Sequence, residues 1–295
     1  MPIVVLGASG RLGRAILHEL SAAGASVIAV SRSATPRPEI SQVTWASLDS
    51  DDIQSHHALF STAECVIDAR NQRYDDWSGY PAMIAATLTA LQNTDARYIY
   101  VDNLYLYGRS FTSEPVTEDQ ARNPVSEKGR IRLSIETALR QVMPVHPILI
   151  ARFPDFYNIS TDSLPRAIRW FGPPELEHQF IHPRDAAHAI SVLSAAPWAF
   201  GEIWHVVGPE TINGHRLRAI ASRIIGRQVK LQVLGPTAIH ILGLISLEAR
   251  GLRETQYLWN EPVTLNMAKF SQHFDTSFLH GHHEALEDIL GIANI

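Results

Sequence analysis

Gly7, Gly10 and Gly13, spaced three apart behind the apolar run Ile3-Val4-Val5-Leu6, have the type and spacing to cradle a phosphate. Without a Cβ, such a turn takes backbone angles closed to other residues, lets an anion approach the main chain, and lets the next helix pack close to the strand. Ser9, Arg11 and Leu12 complete the loop. A pyrophosphate would rest on the N–H groups and positive dipole end of the helix that starts there. The expected ligand is therefore a dinucleotide held by Gly7, Ser9, Gly10, Arg11, Leu12 and Gly13; the competing expectation is a glycine-rich βα turn with no ligand.

A second strand over residues 26–30 ends in Ser31-Arg32, where folds that prefer NAD place an acidic residue for the ribose hydroxyls. No carboxylate stands there. Arg32 offers a forked, charge-assisted contact to a 2′-phosphate, with Ser31 as a second donor, which makes NADP(H) the expected cofactor. The plainer reading is that Arg32, like Arg37, is a solvated charge.

The elements that must position these residues follow in alternation. Leu12, Ala15, Ile16, Leu20 and Ala23 share one helical stripe. Further strands are expected at 42–45, leading to Asp49, and at 65–69, 97–101 and 146–151, with helices at 81–91 and 127–142. Strands and helices alternating at this spacing imply a doubly wound parallel (Rossmann) α/β sheet with right-handed crossovers. Ligands in such sheets lie at the carboxyl ends of the strands. Ala69-Arg70-Asn71, Asp102-Asn103 and Phe153-Pro154-Asp155 should therefore converge with the glycine loop, and Asp49 and Ala69 are placed with the cofactor. Phe180-Ile181-His182, a helix at 184–193 and a late strand at 203–207 complete this domain, expected over 1–157 and 180–208. Residues 158–179 and 209–295 form a smaller, mostly helical substrate lobe.

Composition narrows the classes. A chain of 295 residues can bury a large core, and a net charge of −5 without basic blocks gives no nucleic-acid footprint. Cys65, the only cysteine, precludes a disulfide within the chain and suits a reducing cytoplasm. No secretory leader is expected, and the apolar stretch 238–247 is too short to span a bilayer. Asn158-Ile159-Ser160 matches a glycosylation triplet that a cytoplasmic chain would not use. His280, His282 and His283 lack a metal-ligand pattern and, like His56-His57, read as a solvated cluster, so no metal is expected. Trp170, Trp259 and residues 262–266 either line an apolar pocket or pack the core.

Gly7-x-x-Gly10-x-x-Gly13, Tyr107-Gly108, and Phe180-Ile181-His182 with Asp185 before a helix together resemble the extended branch of the short-chain dehydrogenase/reductase superfamily, the NAD-dependent epimerase/dehydratase family. The resemblance covers nearly the whole chain. It implies a bound nicotinamide dinucleotide and the reduction, oxidation, epimerisation or dehydration of a sugar nucleotide or other small hydroxy/carbonyl substrate. It also implies a homodimer as one possible assembly. The family's catalytic set is a Ser or Thr four residues before the Tyr-Gly tyrosine, then Tyr-x-x-x-Lys on the next helix.

This chain departs at all three positions. Asn103 stands in place of the hydroxyl residue, Lys128 in place of the tyrosine and Arg132 in place of the lysine, counted from Tyr107 and from Glu136. Lys128 and Arg132 lie one turn apart on a shared helical face. Arg132 can donate to ribose hydroxyls but does not give up a proton. Desolvation and the neighbouring Arg132 charge would favour the neutral form of Lys128, letting it polarise or protonate a substrate oxygen while Asn103 supplies a second hydrogen bond. Tyr105 is the next candidate acid, Tyr107 matches a tyrosine that packs, and Phe153 borders the nicotinamide. Against this stands a surface helix in which Arg132 merely pairs with Glu136. Two functions follow: an NADP(H)-dependent oxidoreductase or epimerase/dehydratase-like enzyme, or a non-catalytic NADP(H)-binding redox sensor.

Overall fold

Strand β1 (Ile3–Leu6) carries four consecutive apolar side chains, a pattern that is stable only where helices cover both faces of a parallel sheet. Val4, Val5 and Leu6 are accordingly without exposed surface. Helix α1 (Arg11–Ala22) buries Gly13, Ile16, Leu17 and Leu20 and leaves its polar residues outside. The alternation continues through β2 (Val27–Ser31), β3 (Val43–Ser47), α2 (Ile53–Phe60), β4 (Cys65–Asp68), α3 (Tyr80–Leu91), β5 (Arg97–Asn103), α4 (Glu127–Val142) and β6 (Ile148–Phe153). Then come β7 (Asp155–Phe156), β8 (Ala167–Trp170), β9 (His178–Ile181), α5 (Pro183–Ser194) and β10 (Ile203–His205). This computed structural model describes residues 1–32, 39–50, 52–74, 76–109, 114–157 and 167–291.

Seven strands form one parallel sheet in the order β10-β6-β5-β4-β1-β2-β3. The chain leaves β1 toward β2 and β3, then returns to the other side of β1 at β4. That reversal opens a crevice beyond the carboxyl ends of β1 and β4.

The chain divides into two compact units. The first comprises Met1–Asn103, Ile131–Phe153 and Ala186–His205, and contains the sheet. The second comprises Leu104–Arg130, Pro154–Asp185 and Val206–Ile295. The sequence assigned residues 104–130, 154–157, 180–185 and 206–208 to the sheet domain, whereas the structure groups them with the C-terminal segment. Val116 bridges to Leu265, with hydrogen bonds from Val116 N–H to the Thr264 carbonyl (2.7 Å) and from Asn266 N–H to the Val116 carbonyl (2.8 Å). Arg109 pairs with Glu261 at 2.7 Å. Residues 158–166, including the Asn158-Ile159-Ser160 triplet, and Arg37 lie outside the described residues.

The second unit adds β11 (Thr211–Ile212), α6 (Gly214–Ile225), β12 (Lys230–Val233), α7 (Pro236–Ile245), α8 (Leu247–Thr255), α9 (Tyr257–Asn260), α10 (Ala268–His273) and α11 (His282–Ile289). Its core gathers Tyr157, Trp170, Phe180, Leu217 and Leu286. Trp170 meets Trp259 edge-on at 5.0 Å within that core, which makes both of them packing residues. Strands β7, β8, β9, β11 and β12 are two to four residues long, too short for an alternation pattern to announce them.

Two histidines correct the expectation of solvated clusters. His56 is buried and stacks on Phe60 at 5.5 Å, and His282 is buried with its Nδ1 2.5 Å from the Tyr157 hydroxyl. His280 Nδ1 sits 2.5 Å from Asp185, whose other carboxylate oxygen accepts the His280 N–H. Among the described residues no helix is long and apolar enough to cross a membrane. Cys65 is buried, and burial pushes its thiol up to about 12, which makes it inert.

Candidate active site

Leu6 and Asp68 are register partners at the carboxyl ends of β1 and β4, and Ala69 N–H donates to the Leu6 carbonyl at 3.0 Å. Directly above them Gly7 turns the chain at φ +75°, and a Cβ there would lie 2.8 Å from the Ala69 carbonyl and the Arg70 nitrogen. At Gly13 a Cβ would come within 2.3 Å of the Gly7 carbonyl oxygen. Gly10 caps α1 without a side-chain bond and donates its N–H to the Gly7 carbonyl at 3.0 Å. Ser9, Gly10 and Arg11 are exposed and Leu12 is half-buried. Backbone thus packs where a Cβ would stand, so the tight turn admits only glycine at 7 and 13; it leads into a helix N-terminus without a side-chain cap, and these residues fit a dinucleotide phosphate.

Ser31 ends β2 and is buried, Arg32 follows it exposed, and Asp49 is exposed beyond β3. Asn103 and Phe153 are register partners at the ends of β5 and β6, on the same carboxyl edge of the sheet as Ala69. The first unit therefore carries the residues assigned to the cofactor along one edge, except Arg132, which lies on α4.

Behind that edge runs a buried charge network. Asp68 has no exposed surface, receives Arg70 through two bonds (2.9 and 2.6 Å) and accepts the Tyr98 hydroxyl at 2.8 Å. Arg70 also donates to Thr87 at 2.5 Å, and its carbonyl accepts the Tyr80 hydroxyl at 2.6 Å. Arg152 donates to Asp102 (2.8 Å) and to Glu136 (2.5 Å), and Arg140 reaches the other oxygen of Glu136 at 2.9 Å.

Arg132 joins this network. Its guanidinium donates to the hydroxyls of Tyr80 (3.2 Å) and Tyr100 (2.5 Å) and to the Asn71 amide oxygen (3.2 Å). It also lies 3.4 Å from Asp102 and over the Trp77 ring at 4.7 Å. Coulombic attraction from these oxygens outweighs burial and raises its pKa, so it is a permanent cation. Burial raises the Tyr100 phenol well above its ordinary range, although the Arg132 charge opposes the shift. The surface-helix reading of α4 does not survive: Lys128, Arg132, Ile135, Glu136 and Leu139 are all at most 5% exposed. Glu136 is held by Arg152 and Arg140, while Arg132 turns toward Asp102.

In the second unit, the start of α4 is capped twice. Ser126 Oγ accepts the Gly129 N–H at 3.0 Å. One oxygen of Glu254 accepts the Lys128 N–H at 2.6 Å and the other accepts from Lys128 Nζ at 2.8 Å. Gly129 has a reason of its own, since a Cβ there would lie 2.6 Å from the Tyr105 carbonyl oxygen. Tyr257 donates its hydroxyl to that same oxygen at 3.3 Å. Gly129, the residue after Lys128, is thereby held against the backbone of buried Tyr105. The sequence placed only the Arg132 cation beside Lys128, whereas the structure sets the Glu254 anion on it.

Glu254 and Tyr257 were missed because they enter from α8 and α9, more than 120 positions further along the chain, and carry no motif. Burial raises the Tyr257 phenol; a hydrogen bond with Ser126 pulls it down and the charge of Glu254 pushes it up. Asp155, just after β6, also went without a role. Burial pushes its carboxyl up to about 6.

Residues 1–169 match the family model described as the RmlD substrate binding domain. No curated protein matches the sequence. Among solved structures, the UDP-glucuronic acid 4-epimerase of Bacillus cereus, in complex with UDP-glucuronic acid and NAD, is 17% identical with a TM-score of 0.77, covering 99% of this chain and 100% of that one. The UDP-N-acetylglucosamine 4-epimerase of Bacillus cereus is 13% identical with a TM-score of 0.76, covering 100% and 97%. The dTDP-glucose 4,6-dehydratase of Bacillus anthracis str. Ames, in complex with NAD, is 12% identical with a TM-score of 0.76, covering 99% and 96%. At such identities the likeness is one of fold. The family match spans more than half of the chain and begins with the same glycine loop that the sheet presents at its crevice, so the chain belongs to the RmlD substrate-binding-domain family, within the epimerase/dehydratase type of extended short-chain dehydrogenase/reductases.

Proposed function

We propose that this chain is an NADP(H)-dependent enzyme acting at a hydroxyl or carbonyl carbon of a small substrate, with a sugar nucleotide as the leading class. The observation that carries the reading is the Cβ-free cradle of Gly7, Gly10 and Gly13 at the reversal point of the sheet. Arg32 and Ser31, with no carboxylate at the end of β2, favour the 2′-phosphorylated cofactor. The two neighbours solved with NAD, together with the fold they share with this chain, support a nicotinamide dinucleotide of some kind. The redox-sensor alternative draws no support from these neighbours.

A bound nicotinamide supplies or accepts a hydride; the chain's own residues must handle the proton and hold the substrate. Lys128 gives the substrate oxygen its proton in the reducing direction and takes it back in the other. Arg132 cannot do this, because it never releases a proton. Its part is to hold a fixed positive charge among Tyr80, Tyr100 and Asn71. The Asn103 amide, at the end of β5, is assigned a second hydrogen bond to substrate, and Tyr105 is the next candidate acid.

The deciding experiment is a titration with NADPH and with NADH, followed by nicotinamide fluorescence. Tighter binding of NADPH supports the assignment of Arg32, equal affinities remove it, and binding of neither would reduce the glycine loop to scaffold. Undiminished turnover in a Lys128→Met variant would remove the lysine from the mechanism.

A further inference from the structure

We propose that Glu254 is the positioning residue of Lys128 and the path by which the buried lysine recovers its proton from solvent; this rests on the reading of Lys128 as the proton donor. Three observations carry it. Glu254 grips the lysine at both ends, with one carboxylate oxygen on the backbone N–H and the other on Nζ. Backbone and ammonium are therefore set in one geometry by a single side chain, and the negative charge sits where the α4 dipole is positive. Second, exposure is graded along the pair: the Lys128 side chain is 6% exposed and that of Glu254 26%. Third, lysine occurs in the whole chain only at 128, 230 and 269, beside 22 arginines. A merely structural cation in this chain is ordinarily an arginine, and only lysine can release a proton at such a site.

The proton bookkeeping closes. An N–H bond of the Lys128 ammonium breaks as an O–H bond forms on the substrate oxygen, leaving a neutral amine. The Glu254 carboxylate, reached by water, takes a proton and passes it to Nζ, which restores the ion pair. The hydride of the same turnover comes from the reduced nicotinamide dinucleotide. Tyr257 on α9 feels the charge of Glu254, and its phenol is also acted on by Ser126, before α4, and by Arg109.

The test combines two measurements on the full chain and on its Glu254→Gln, Glu254→Asp and Lys128→Met variants. Competitive acetylation read by mass spectrometry reports Lys128 reactivity against Lys230 and Lys269. NADPH oxidation with p-nitrobenzaldehyde, across pH, reports turnover. The Gln side chain still accepts the backbone N–H but brings no charge and carries no proton. Expected for Glu254→Gln are faster acetylation of Lys128, an unchanged Kd for NADPH, and kcat lower by about tenfold or more with an altered pH profile, which Glu254→Asp partly restores. A purely structural Glu254 would shift Tm alone. If Glu254→Gln does not fold, the same comparison is made on Glu254→Asp, whose shorter reach must also speed acetylation. Loss of turnover in Lys128→Met, with acetylation and pH profile unchanged in the Glu254 variants, overturns the proposal and leaves Lys128 in place. Full turnover in Lys128→Met, or none in the native chain, removes the lysine reading, and the proposal falls with it.

Discussion

Arg152 donates to Asp102 at 2.8 Å, and neither side chain has any exposed surface. The pair joins β6 to β5 through adjacent register positions, because Asp102 and Arg152 lie opposite one another in the sheet. Glu136 brings in α4 on the same guanidinium, and Arg132 returns from α4 to Asp102. Two carboxylates and two guanidiniums thus neutralise one another where water does not reach. Removing Arg152 would take from both Asp102 and Glu136 their nearer partner in this buried network.

Arg152→Met should therefore destabilise the protein by about 3–5 kcal/mol, the usual consequence of breaking a buried ion pair by removing one partner. Arg140, which meets Glu136 from an exposed position, should cost less than about 1 kcal/mol when changed to Ala. Urea denaturation of the two variants reads the difference. Equal losses would mean that the network is not the buried, mutually dependent unit described here.

Gly13→Ala tests the cradle. The new Cβ would meet the Gly7 carbonyl oxygen at 2.3 Å, and only a shift of the loop or of α1 can relieve that. Overpacking of this kind costs about 1–3 kcal/mol and should weaken NADPH binding further, by moving the N–H groups away from the phosphates. Gly79→Ala is the control, since nothing lies within 4 Å of its Cβ position. An alanine at 13 that binds NADPH as well as the native chain would contradict the assignment.

The order β1–α1–β2 was legible in the sequence because its signals are local: an apolar run, three glycines and a helical stripe lie within thirty residues. The same holds for α4 and β6. Arg132 shows where local reading stops. Its position on the helix could be counted, but its partners Asn71, Tyr80, Tyr100 and Asp102 come from three other segments that only the sheet order brings together. Glu254 and the attachment of residues 104–130 to the C-terminal segment were hidden for the same reason, because a lone carboxylate or a single bridge such as Val116 to Leu265 has no period.

Arg32→Ala should separate the two cofactors. Loss of one charge-assisted contact to a 2′-phosphate is worth about 1.5–3 kcal/mol, so NADPH should bind roughly 10- to 100-fold more weakly while NADH is little affected. Parallel titrations of native and variant chains give the ratio. A drop of the same size for NADH would make Arg32 a general support of the loop.

His178 should make the second unit sensitive to acid. Its ring lies 4.7 Å from Trp259 and 5.1 Å from Trp170, and burial brings the imidazole from 6.5 down to about 4, with a backbone hydrogen bond at Trp259 opposing the shift. Above pH 6.5 the group is neutral whether the chain is folded or not and contributes no pH dependence. Below that value the unfolded chain takes up a proton that the folded chain refuses, so stability falls as pH drops toward 4 and levels off beneath it. The loss by pH 4 is on the order of 2–3 kcal/mol. A His178→Phe variant keeps an aromatic ring among the tryptophans but has nothing to protonate. Its stability should decline less than that of the native chain between pH 6.5 and 4, while the two curves run parallel above pH 7. Parallel curves through the acid range as well would show that His178 is protonated as readily in the folded chain as in water.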